Sequence, residues 1–68
     1  MNFIQQARRG NGLTQEEIAQ KMNMSRGGYA KLEIGTNKLT LARFIQICKV
    51  LELDIATAIN EVLKDENY

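Results

Sequence analysis

The chain has 68 residues, 44% hydrophobic and 25% charged, with nine Lys and Arg against eight Asp and Glu. That length supplies one small core, so a single domain spanning residues 1–68 is expected, and the near-average composition excludes global disorder. One cysteine, Cys48, no histidine and no apolar run near the roughly 18 residues of a membrane span exclude a disulfide-held fold, a histidine-based catalytic or metal centre and a spanning helix. These features lead us to expect a soluble, cytoplasmic protein that is not an enzyme, with no cofactor, no metal and no membrane association.

The overall charge of +1 conceals a division. Up to Leu51 there are eight basic residues and three acidic ones, a net of +5, whereas from Glu52 onward one base faces five acids, a net of −4. Small proteins reach such asymmetry by chance. It is also the pattern of a body that meets a polyanion and a C-terminal element turned elsewhere.

No stretch alternates apolar and polar residues as a strand would, and helical spacing recurs throughout, so the fold class is all-α. Asn2 is placed to cap a first helix carrying Ile4, Ala7 and Arg8, which Gly10-Asn11-Gly12 stops. Thr14 opens a second helix, and Glu17 three residues on completes a capping box. Leu13 and Ile18 occupy the staple positions, Ile18, Ala19 and Met22 form the apolar stripe, and Asn23 breaks the run. Ser25 caps a third helix holding Tyr29, Leu32 and Glu33, which ends at Gly35. Thr40 caps a fourth, with Leu41, Phe44, Ile45, Ile47, Cys48 and Leu51 as its apolar side. Asp54 caps a fifth, about residues 55–65, with Ile55, Ala58, Ile59, Val62 and Leu63 at helical spacing.

Two short helices joined by a turn at Met22–Met24, over about residues 14–34, fit a helix-turn-helix. The string Leu13-Thr14-Gln15-Glu16-Glu17-Ile18-Ala19, then Met24-Ser25-Arg26, then Tyr29-Ala30-Lys31-Leu32-Glu33-Ile34-Gly35 closely resembles the Cro/cI-repressor (Xre-like) helix-turn-helix family. The likeness runs on through Leu41, Phe44, Leu51 and Leu53 and covers roughly residues 3–60. It implies a compact five-helix repressor-type domain, bacterial or phage-encoded and located at the nucleoid, that binds double-stranded DNA with its third helix in the major groove.

Residue by residue, the resemblance implies base contacts from Arg26 and Lys31 and phosphate contacts from Thr14, Gln15, Ser25, Asn37 and Lys38. The chemistry agrees. Arginine can donate two bonds to guanine, and free amides at a helix start attract phosphate. The alternative for Gln15, Arg26 and Lys31 is plain solvation of an exposed face. Arg43, on the expected outer side of the fourth helix, is a weaker phosphate candidate. Gly27 and Gly28 depart from the family's polar residues, which leaves two readings: a frayed helix start that DNA orders, or a close backbone approach to the sugar-phosphates. Leu39 stands where the family commonly has proline, which predicts a looser loop before the fourth helix.

Glu33 falls on the inward side of the third helix, where a lone carboxylate is costly. Arg8 is the matching cation, and the resemblance implies a buried ion pair between them. Cys48 takes the place of a small alanine and is read as core. Val62, Leu63 and Tyr68 are more apolar than a solvated tail requires and are expected to form a homodimer contact. The function expected is sequence-specific transcriptional regulation, as a repressor on a two-half-site operator. The competing reading is an antitoxin that neutralises a toxin partner and binds its own operator.

Overall fold

The computed structural model describes residues 3–66 apart from Thr36. Five helices and no strand occur among the described residues: α1 (Phe3–Gly10), α2 (Gln15–Lys21), α3 (Arg26–Ile34), α4 (Leu41–Val50) and α5 (Ile55–Glu66). The proposed caps at Thr14, Ser25, Thr40 and Asp54 explain why four of them start where they do. In each case a side-chain oxygen accepts the amide three residues on, at 3.1, 3.0, 3.1 and 3.0 Å respectively. Thr14 and Glu17 form the reciprocal box, with the Thr14 amide donating to the Glu17 carboxylate at 2.9 Å. That bond holds the exposed Glu17 carboxyl below the usual carboxylate range. Thr14→Ala is expected to cost about 1 kcal/mol of stability, and Thr14→Ser to recover most of it. Thermal unfolding of the two variants checks this.

Four of the breaks use left-handed backbone. Gly12 (φ 72°) and Gly35 (φ 87°) follow α1 and α3, and Asn23 (φ 55°) makes the turn after α2. Glu52 (φ 55°) does the same after α4, a turn that no glycine or asparagine announces. The Asn2 cap lies outside the described residues.

Two adjoining apolar clusters form the core. The larger joins Ile4 of α1, Ile18, Ala19 and Met22 around α2, Tyr29 of α3, and Ile47 and Leu51 from α4 and its end. The smaller joins Phe44, Cys48 and Ala58, tying α4 to α5. Cys48 is buried, and burial pushes its thiol pKa up.

Two expectations about apolar faces need correction. Leu41 is 69% exposed, because it is the first residue of α4 and its turn projects past the core. Leu39 packs against both clusters instead. The α5 stripe also divides: Ala58 is fully buried and Val62 packs on the smaller cluster, whereas Ile55, Ile59 and Leu63 are 40–48% exposed. With one narrow seam against the body, α5 can bury the 58/62 line and leaves the 55/59/63 line outward. Leu32 is half-buried at the edge of the α3 seam.

Candidate nucleic-acid interface

α3 has two faces of opposite character. Its inner face carries Tyr29 and Glu33, both buried. Its outer face carries Gly27 and Lys31, both exposed, and Arg26 is exposed at the helix start. The helix start is closed by Ser25, whose hydroxyl accepts from the Gly28 amide and sits 3.1 Å from where a Gly28 side chain would begin. Gly28 is thus half-buried against its own cap, while nothing crowds the exposed Gly27.

The inner face of α3 is held by charge. Arg8 of α1 donates from Nε and Nη2 to the two Glu33 oxygens at 2.9 and 3.0 Å, and from Nη1 to the Leu13 carbonyl at 2.7 Å. The Tyr29 hydroxyl donates to Glu33 at 2.6 Å, and the Gln15 amide adds a fourth donor at 3.3 Å. Burial alone would raise the Glu33 carboxyl pKa, but these donors outweigh it and hold the carboxyl below its ordinary range. Burial and the adjacent carboxylate push the Tyr29 phenol well up, so it remains a donor. No buried side-chain nitrogen or oxygen among the described residues lacks a partner. The network fixes α1 to α3 and to the start of α2.

Beside it lies an open polar depression where α1, the start of α2 and the start of α3 converge. Gln5, Arg8, Arg9, Thr14, Gln15, Glu16 and Arg26 line it. Arg9 joins this surface from α1, a contribution that helix periodicity alone does not show. Gln15 is half-buried, its amide turned partly inward to Glu33 and not wholly outward toward solvent. Asn37 and Lys38 are exposed in the loop after α3, where the Asn37 amide donates to the Lys31 carbonyl at 3.2 Å.

Arg43 is a correction. It is half-buried, and its Nη1 donates to Gln46 Oε1 at 2.9 Å and to the Met22 carbonyl at 3.4 Å. The guanidinium therefore turns inward, toward the negative end of α2, where an arginine is favoured. Of the three residues expected at a dimer contact, Leu63 is exposed, Val62 packs inward and Tyr68 lies outside the described residues.

Two short capped helices joined by the four residues Met22–Ser25, the second with exposed Arg26 and Lys31, define a helix-turn-helix DNA-binding domain. The helix-turn-helix family model matches residues 4–57, from α1 into the first turn of α5. No curated protein and no solved structure matches the chain. The chain belongs to the Cro/cI-repressor (Xre-like) helix-turn-helix family, a family of DNA-binding transcriptional regulators and not of enzymes. No helix among the described residues is long and apolar enough to cross a membrane.

Proposed function

We propose that the chain is a sequence-specific transcriptional repressor that binds a two-half-site operator as a homodimer. The observation that carries this reading is the exposed basic surface of α3, where Gly27 and Lys31 lie opposite the buried Tyr29–Glu33 face and Arg26 is exposed at the helix start. Laid in a major groove, α3 brings Arg26 and Lys31 to base edges, where arginine can grip guanine O6 and N7 together. Thr14, Gln15, Ser25, Asn37 and Lys38 meet phosphates on either side, which sets affinity and register without reading sequence. The Ser25 and Thr14 hydroxyl oxygens already accept cap bonds, so each contacts phosphate by donating its O–H proton to a phosphate oxygen. Arg8 and Glu33 act beneath this surface as a structural pair.

Two copies of so small a domain read two half-sites only if they associate. The exposed Ile55, Ile59 and Leu63 of α5, in the acidic end of the chain and away from the basic face in charge, supply the apolar surface for that contact. Selection from randomised duplexes is expected to return one site with two related halves. Sedimentation at high micromolar concentration is expected to show a dimer, and a monomer there, without DNA, would exclude self-association through α5.

The same exposed α5 line favours one second reading, an antitoxin whose α5 binds a toxin partner. Purification of the untagged native complex separates the two. A stoichiometric second chain on α5 supports the antitoxin, and a homodimer alone supports the repressor.

A further inference from the structure

The α2–α3 turn is tethered from outside the helix pair. Met22 ends α2, and its carbonyl faces the start of a turn in which Asn23 adopts a left-handed backbone. Two side chains one turn apart on α4 converge on that carbonyl: Gln46 donates from Nε2 at 3.3 Å and Arg43 from Nη1 at 3.4 Å. Arg43 also donates to Gln46 Oε1 at 2.9 Å, so each side chain orients the other. Both are half-buried. α2 packs chiefly on α3, while α4 packs on α5, so this polar clamp links the DNA-facing pair to the rest of the body beside the shared apolar core. An orphan carbonyl at a helix end is satisfied in this way by donors that also complement the helix dipole.

We propose that Arg43 and Gln46 are positioning residues for recognition: by holding the Met22 carbonyl they set the placement of α3 in the groove, and Arg43 is not a phosphate contact. The proposal rests on the reading that α3 recognises DNA. Placement matters more for base contacts than for phosphate contacts, because a bidentate bond to a base edge tolerates little displacement while an ammonium or guanidinium near a phosphate tolerates more. Losing the clamp therefore costs discrimination before it costs general affinity.

The test compares Arg43→Met and Gln46→Leu, singly and together, with wild type. Amide exchange in the DNA-free protein is expected to speed up at Asn23 and Met24 in all three variants while α1 and α5 amides keep their protection. The ratio of affinity for the selected site over an unrelated duplex is expected to fall about tenfold, the scale of one lost tertiary hydrogen bond. The two single effects should not simply add in the double variant, since both side chains act on one carbonyl and orient each other. The salt dependence of binding should keep its slope. If Arg43→Met instead lowers that slope by ~0.9 and Gln46→Leu is silent, Arg43 is a phosphate anchor and the proposal is overturned. Unchanged exchange at the turn overturns it as well. Should Arg43→Met fail to fold, Gln46→Leu carries the comparison alone. A wild-type protein that selects no sequence sinks the DNA-recognition reading, while the exchange measurement still judges the clamp.

Discussion

Glu33→Ala is expected to lower the unfolding free energy by about 3–5 kcal/mol, the largest single effect in the chain, because it strands the buried Arg8 guanidinium. Glu33 is 3% exposed and receives bonds from Arg8, Tyr29 and Gln15, so its removal leaves several donors without an acceptor at once. Removing both charges together, as Arg8→Met with Glu33→Leu, should cost less than Glu33→Ala alone, since no buried charge is then left over. Acid separates the pair in the same way. The folded-state pKa of Glu33 lies below its unfolded value, so its contribution is complete at neutral pH, above the ordinary carboxylate pKa. It is lost as pH falls below that value and through the depressed one. The gap between wild type and Glu33→Ala should therefore narrow between pH 7 and pH 3 in thermal unfolding. A variant that melts with wild type at pH 7 would show that the pair contributes nothing to stability.

Arg26→Ala is expected to cost about 1–3 kcal/mol of operator affinity and to flatten discrimination at one base pair of each half-site. Arg26 is the only long donor in the first turn of α3, because Gly27 and Gly28 follow it. Base readout consequently rests on Arg26 and, one turn on, Lys31, with DNA shape deciding the positions neither reaches. Gln15→Ala should behave differently, weakening all duplexes alike because its DNA partner is phosphate. It should also cost a little stability through the lost bond to Glu33. Competition binding against single-base variants of the selected site separates the two patterns. If Arg26→Ala weakens every variant equally, Arg26 is a phosphate anchor only.

The helix starts were legible in the sequence because capping is a local code. Thr14 with Glu17, Ser25, Thr40 and Asp54 announce themselves three residues ahead of the amides they accept, and Gly35 marks its own left-handed stop. The turn at Glu52 was not legible, since its backbone is set by the docking of α5 and by the Leu53 amide donating to the Cys48 carbonyl at 2.8 Å. Spacing also overstates burial at helix ends and edges. Leu41 is 69% exposed although it continues an apolar pattern, because the first turn of α4 runs past the core. Within the site, the exposure of Lys31 follows from α3 periodicity once Tyr29 and Glu33 face inward, whereas Arg26, three residues before Tyr29, is exposed because it opens the helix. The direction of long polar side chains does not follow from periodicity. Arg43 turns to Met22 and Gln15 to Glu33 because neighbours distant in sequence offer acceptors there. Arg9 enters the same surface for an equally tertiary reason, the packing angle of α1 beside the start of α2.

The central claim is that α3 lies in the major groove and reads it. Methylation interference on the selected site tests this most directly, because dimethyl sulfate marks guanine N7 in the major groove and adenine N3 in the minor groove. Guanine N7 methylation within each half-site is expected to abolish binding by the wild-type protein, and Arg26→Ala is expected to lose that sensitivity at one guanine per half-site. Interference confined to adenine N3, or none at either position, would contradict the placement of α3.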